Sequence, residues 1–148
     1  MKKVRVYTDG ASRGNPGNAS IGVVVEDESG NEIQTSKRFL GKYTNNSAEY
    51  LALIEGVKIL KDIKYEFDEI NFFCDSELIV KQIKGEYKIK NKDLISLSLE
   101  FWKVVKSLNK KFTIRHIPRE KNSRADKLAN EALDENMNDL DRSLLINS

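Results

Sequence analysis

The sequence predicts an α/β fold, a mixed sheet with helices on its faces. Three observations carry it. The first third of the chain holds three strand-like runs separated by turn residues, and the rest alternates helical with strand-like segments. A length of 148 residues, 39% hydrophobic and 32% charged, fits one domain built around one core.

The elements follow in order. A first strand is expected over residues 4–9, then a loop, Gly10-Ala11-Ser12-Arg13-Gly14-Asn15-Pro16-Gly17, rich in Gly, Asn and Pro. Strands over residues 19–26 and 33–41 are joined by Asp27-Glu28-Ser29-Gly30-Asn31, a good hairpin turn. A helix over residues 44–61 precedes a strand at residues 70–75. Helices over residues 76–84 and 92–108, a strand at 112–117 and a helix at 123–136 complete the pattern. Three antiparallel strands followed by α-β-α-β-α make a mixed sheet. Residues 137–148 turn acidic and then apolar (Leu144-Leu145-Ile146), which suits either a short docking helix or a frayed tail.

Composition narrows the class. No apolar run approaches the roughly 20 residues of a membrane span, and no leader-like apolar stretch follows Met1, so no membrane association is expected. The sole cysteine, Cys74, allows no internal disulfide, and with the absent leader it predicts a cytoplasmic setting and a buried apolar role. The net charge of +2 is unevenly spread. From Lys81 to Arg124 there are 13 Lys and Arg against 4 Asp and Glu, while the rest holds 12 against 19. Either lysines solvate helix faces, or an acidic metal centre adjoins a surface for a polyanion.

The acids decide between these. Asp9 and Asp75 each end a strand-like run, where ligands usually bind in α/β sheets. If the two strands are adjacent and parallel, the carboxylates lie side by side and repel unless a cation separates them. Glu49 projects onto the same helical stripe as Ala52, Leu53, Gly56, Val57 and Leu60, a costly place for an unpaired acid. Asp126 has a sufficient structural reason in Ser123-Arg124-Ala125-Asp126, which matches a capping box, yet the position also aims its carboxylate at the sheet edge. Oxygen ligands without His or Cys select Mg²⁺ or Mn²⁺, and such centres commonly hold two ions for phosphoryl transfer.

Asp9-Gly10-Ala11-Ser12 with Gly14-Asn15-Pro16-Gly17, Thr44-Asn45-Asn46-Ser47-Ala48-Glu49, Cys74-Asp75-Ser76 and Asn122-Ser123-Arg124-Ala125-Asp126 resemble, in order and spacing, the four signature blocks of type 1 ribonuclease H. The similarity covers about residues 3–135. It implies a ribonuclease H-like fold, a five-stranded mixed sheet of order 3-2-1-4-5 flanked by helices. It also implies endonucleolytic hydrolysis of the RNA strand of RNA–DNA hybrids, leaving 5′-phosphate and 3′-hydroxyl ends. No obligate protein partner is evident in the sequence, and a monomer is expected. By the resemblance, Asp9, Glu49, Asp75 and Asp126 are the metal-binding catalytic carboxylates. Asp9 and Asp75 serve both ions, Glu49 the ion nearer the leaving group together with a ribose 2′-hydroxyl, and Asp126 the ion that activates water. Gly10 belongs to the substrate-facing loop; Asn15, Asn45 and Asn46 match minor-groove contacts, and Ser12 and Ser76 backbone or sugar contacts. Thr44 with Asn122, helped by Lys42, matches a pocket for a phosphate of the DNA strand.

Two departures stand out. The family's catalytic-loop histidine lies in a segment compressed here to His116-Ile117-Pro118-Arg119-Glu120-Lys121-Asn122. His116 falls within a strand, where a satisfied structural role is expected, and Arg119 or Glu120 are the candidate helpers. The family's basic protrusion is missing, since residues 85–92 run almost directly into the next helix. Lys84, Lys88, Lys90 and Lys92 are left as a basic surface with Tyr87 as a stacking group, while Trp102 is expected to pack in the core. The compact pattern is similar to archaeal, bacterial and plant-type variants carrying Arg-Glu-x-Asn, and predicts weak, strongly salt-dependent binding. Two alternatives remain: a hybrid-binding module that has lost cleavage, or another nuclease of the same architecture acting on double-stranded RNA or DNA.

Overall fold

Backbone pairing carries the first strand well past Asp9. In a computed structural model that describes the backbone of residues 2–147 and the side chains of residues 2–136, β1 (Lys3–Gly14) and β2 (Gly17–Glu26) form one long antiparallel hairpin. Its turn is Asn15-Pro16, with Gly14 opposite Gly17. The stretch read from sequence as a loop, residues 10–14, is therefore strand. Its small and polar side chains carry no apolar alternation, but the ladder is made by backbone groups, which need none. β3 (Glu32–Tyr43) returns antiparallel to β2 after a turn in which the Asp27 carboxylate accepts the Ser29 and Asn31 amides at 2.9 Å each.

α1 (Asn45–Asp62) starts where Thr44 caps it, the hydroxyl accepting the Ser47 amide at 3.1 Å. The stripe Glu49, Ala52, Leu53, Gly56, Val57, Leu60 is buried, as its periodicity predicts. β4 (Glu69–Cys74) pairs parallel with β1, and β5 (Lys111–His116) parallel with β4. Between them lie α2 (Glu77–Ile83), capped by Ser76, and α3 (Lys92–Ser107), capped by Asn91. The strand order is β3-β2-β1-β4-β5, the five-stranded mixed sheet that the family resemblance implied.

α1 and α3 cover one face, burying Val4, Val6, Val23, Leu53, Val57, Phe72, Phe101 and Ile114. Each such side chain contributes about 1.5–3 kcal/mol of burial. Phe72 meets Phe101 and Phe112 edge-on at 5.7 and 5.8 Å, and half-buried Trp102 lies 5.4 Å from Phe112, a packing role as expected.

α4 (Ser123–Asn147) crosses the other face over β1, β2 and β3, with Ala125 and Leu128 on Val24. The helix runs past the expected end at residue 136; the docking role considered for residues 137–148 falls outside the described side chains. The capping-box expectation fails because Ser123 is already the first helical residue. The Asp126 amide bonds instead to the Asn122 carbonyl at 3.1 Å. Among the described residues, no helix is long and apolar enough to cross a membrane.

Candidate active site

The parallel ladder between β1 and β4 ends at the pair Thr8 and Cys74, and the next residue on each chain is an acid. Asp9 continues β1 along its other edge, opposite Gly22 of β2, whereas Asp75 leaves the strand at once. The two carboxylates are thus neighbours, and the condition set from sequence is met. Asp9 is 5% exposed and Asp75 is half-buried.

Glu49 joins them from α1. Its approach depends on Gly10: a Cβ there would lie 2.3 Å from the Ala48 carbonyl carbon, so only glycine lets α1 come this close to β1. The Gly10 amide donates to Glu49 Oε1 at 3.1 Å, and the Cys74 thiol donates to Oε2 at 3.4 Å. One oxygen from each of Asp9, Glu49 and Asp75 lies within 4.8 Å of the other two.

Asp126 stands beside this trio rather than inside it. Its carboxylate accepts from Asn130 Nδ2 at 3.3 Å and faces the Arg119 guanidinium at 3.7 Å. It still raises the Asp9 carboxyl and repels Asp75. α4 reaches this position through a second glycine. A Cβ on Gly22 would meet the Ala125 carbonyl oxygen at 2.1 Å.

The trio is electrostatically strained. Burial, then repulsion from Glu49 and Asp75, raises the Asp9 carboxyl far above the carboxylate range. Burial and Asp75 push Glu49 up to about 7, against the opposing pull of the Gly10 amide. Asp75 is also raised by burial, while the Asn122 side chain and the Arg119 charge act in the opposite sense. Buried anions this close demand either protons or a cation. The three converging ligand atoms are all carboxylate oxygens, with the Cys74 sulfur engaged as a donor to Glu49, a set that fits a hard divalent cation.

The surrounding residues divide into two groups. Asn15 Oδ1 accepts the Asn45 amide at 3.1 Å, tying the hairpin tip to the start of α1, where Asn46 is half-buried. Ser12 Oγ donates to the carbonyls of Gly14 and Tyr43. Lys42 and Thr44 line a hollow with Pro16, Tyr43, Ser47 and Leu97. Asn122 is not brought to that hollow. It is 1% exposed, and its Nδ2 donates to the Thr8 carbonyl at 2.8 Å and to Asp75 at 3.3 Å. Ser76 caps α2 through the Ile79 amide. Lys84, Lys88, Lys90 and Lys92 are all exposed, and Tyr87, 44% exposed, has a face occupied by Lys81 at 4.9 Å.

His116 departs from expectation. It is the exposed last residue of the edge strand β5, and its side chain makes no hydrogen bond among the described residues. Ile114, two residues earlier on the same face, is buried, but His116 ends the strand at the sheet's edge and lies exposed. Arg119 lies in a single 3₁₀ turn, Arg119–Lys121, between the Asp75 and Asp126 carboxylates, and Glu120 is exposed. Gly22 and the Cys74 thiol were the contributors missed from sequence. A glycine inside the apolar run of the second strand was the available sign of the first.

A family model described as "Reverse transcriptase-like" matches residues 7–132. The chain is 39% identical to ribonuclease HI of Halobacterium salinarum over 90% of its own length and 65% of that protein's. A crystal structure of the halobacterial ribonuclease H1 superimposes with a TM-score of 0.85, covering 90% of this chain and 98% of that one. Ribonuclease H of Clostridium botulinum is 34% identical over 91% of this chain and 98% of its own. LC11 ribonuclease H1, in a structure with an RNA/DNA hybrid, is 42% identical at a TM-score of 0.84, covering 90% of this chain and 99% of that one. The chain spans only 36% of a bifunctional protein of Mycobacterium tuberculosis to which it is 38% identical.

Proposed function

The chain belongs to the type 1 ribonuclease H family, and from that premise we propose that it is a metal-dependent endonuclease cutting the RNA strand of RNA–DNA hybrids. The products are a 5′-phosphate and a 3′-hydroxyl, and the whole chain acts as one domain, a monomer in the cytoplasm. The observation that carries the reading is the convergence of Asp9, Glu49 and Asp75 within 4.8 Å.

Mg²⁺ or Mn²⁺ is the cofactor, two ions per site with substrate bound. When bound there, divalent ions lower the pKa of a water and offset charge developing on the leaving oxygen. Asp9, Glu49 and Asp75 would hold the ions, Asp9 and Asp75 serving both and Glu49 serving the one nearer the leaving group together with a ribose 2′-hydroxyl. Asp126, set apart from the trio, would serve the ion that activates water. Asn122 orients Asp75 through its 3.3 Å hydrogen bond. Arg119, exposed 3.7 Å from the Asp126 carboxylate, or its neighbour Glu120 takes the place of the family's loop histidine.

Gly10, Ser12, Asn15, Asn45, Asn46 and Ser76 form the rim that meets the hybrid, where a 2′-hydroxyl distinguishes RNA from DNA. Lys42 and Thr44 receive a phosphate of the DNA strand in their shared hollow. Lys84, Lys88, Lys90 and Lys92 supply a diffuse basic surface in place of a protrusion.

The test is cleavage of an end-labelled RNA–DNA hybrid with Mg²⁺ or Mn²⁺, beside RNA–RNA and DNA–DNA duplexes and an Asp9→Asn control. RNA-strand cuts that vanish in the control establish the activity and its centre. Retained hybrid binding without cutting by either metal replaces this reading with the non-catalytic module.

A further inference from the structure

α4 covers β1, β2 and β3. Beyond it, on the same side of the sheet, a hollow of about 540 Å³ is lined by Lys3, Arg5, Tyr7, Asn71, Phe73 and Arg115, among others. Tyr7, Phe73 and Arg115 form one row across three strands, since Tyr7 pairs with Phe73 and Phe73 with Arg115. The Tyr7 and Phe73 rings are stacked, with centroids 4.9 Å apart and planes at 22°.

That stack leaves the outer face of Phe73 turned towards β5. The residue next in the row is Arg115, which is exposed and makes no ion pair among the described residues. A planar group inserted there would lie between an aromatic ring and a guanidinium, both of which stack on nucleobases. Arg5 stands beside the Tyr7 ring, sharing its charge with Glu26. Two acids line the same hollow at its far end. Glu69 is held by Lys3 at 3.6 Å and by Lys111 at 3.8 Å, and Glu28 accepts the Lys3 amide. The uncompensated charge therefore sits towards the metal-binding trio. Asp9 is two residues beyond Tyr7 on β1, and Asp75 two beyond Phe73. Period-two alternation along β1 puts Arg5, Tyr7 and Asp9 on one face.

We propose that this uncovered face binds a single-stranded nucleic-acid segment flanking the hybrid, with one base against Phe73 and phosphates against Arg115 and Arg5. Asp9 and Asp75 follow Tyr7 and Phe73 by only two residues, so a strand leaving the catalytic centre has a short distance to cross to reach this face. Backbone charge and a sequence-tolerant ring face make the site indifferent to base identity.

The binding arm of the test does not need cleavage; only the second arm rests on the function proposed above. Labelled oligo(dT) and oligo(U) are titrated by fluorescence anisotropy at low salt in EDTA against the full chain, Phe73→Ala, Arg115→Gln and a control, Lys58→Gln/Lys61→Gln, at exposed lysines of α1. Both single variants bind about tenfold more weakly, and the lysine control stays within about twofold. Arg115→Gln, at an exposed position, guards against a Phe73 variant that folds poorly. In the second arm, a hybrid with a single-stranded extension has a lower KM than a blunt one, and Arg115→Gln removes that advantage while leaving blunt-hybrid turnover unchanged. A difference between oligo(dT) and oligo(U) assigns the segment to one strand. No binding by the wild-type chain, or equal binding by all variants, overturns the proposal. A blunt hybrid left uncut while oligonucleotides bind as described overturns the hydrolase reading and leaves this surface standing.

Discussion

Gly22 sits directly opposite Asp9 across the β1–β2 ladder, and the space a Cβ would need on Gly22 is filled by the Ala125 carbonyl oxygen at 2.1 Å. One position therefore fixes both the strand that carries the central acid and the seat of the helix that carries Asp126. Gly22→Ala must push α4 off the sheet. Overpacking of this kind costs about 1–3 kcal/mol, so the melting temperature should fall by several degrees. Hybrid cleavage should fall further than the stability loss explains, because Asp126 moves with the helix. Thermal melting beside single-turnover cleavage at a temperature where the variant is fully folded checks both; an unchanged melting point means that α4 is not clamped there.

Asp9→Asn separates charge from shape. The carboxamide occupies the same space, but the repulsion that raises the acids of the cluster is lost. Cleavage should drop to background, while the metal-free protein should melt at a higher temperature than wild type. Scanning calorimetry in EDTA reads the second effect. A variant that is inactive and also destabilised would show that the Asp9 carboxylate holds the fold together rather than straining it.

The same repulsion makes stability depend on pH in a fixed sense. Asp9, Glu49 and Asp75 all have folded-state values above their unfolded ones. The metal-free folded state therefore binds more protons than the unfolded chain between those values, and stability falls as pH rises through that interval. For Glu49 the interval runs from 4.5 to about 7. Raising the pH from about 5 to about 8 should lower the metal-free melting temperature. Added Mg²⁺, which replaces the protons, should raise it more at the higher pH than at the lower one. Equal Mg²⁺ shifts at both would mean that the ion binds away from the cluster.

How much of this was readable beforehand follows from the physics of each element. The buried stripe on α1 was legible because a 3.6-residue period needs only its own helix, and Glu49 stood out on that stripe for the same reason. Asp9 and Asp75 were legible as candidates, but their adjacency depended on β1 and β4 being parallel neighbours, which no local pattern states. The extension of β1 to Gly14 was hidden because backbone pairing leaves no mark on small polar side chains. The exposure of His116 was missed because edge position is a property of the whole sheet order. Asn122 matched a motif whose expected companion, Thr44, caps a different helix, whereas its own amide is spent on the Thr8 carbonyl and Asp75.

Cys74 yields the last prediction. It is fully buried, and burial followed by the neighbouring Glu49 charge raises its thiol well above the ordinary value, so it remains protonated and able to donate. Its Sγ donates to Glu49 alongside the Gly10 amide. Cys74→Val keeps the site apolar, at the cost of a slightly bulkier branched side chain, but removes the thiol donor from Glu49 Oε2. Losing a hydrogen bond to a charged group costs about 1.5–3 kcal/mol, so kcat on a hybrid should fall about tenfold or more while KM changes little. Cys74→Ser restores a donor and should recover most of the rate despite the shorter side chain. Steady-state kinetics of both variants beside their melting curves decides the matter. If Val and Ser behave alike, the thiol serves only to fill space, and Glu49 is positioned by Gly10 alone.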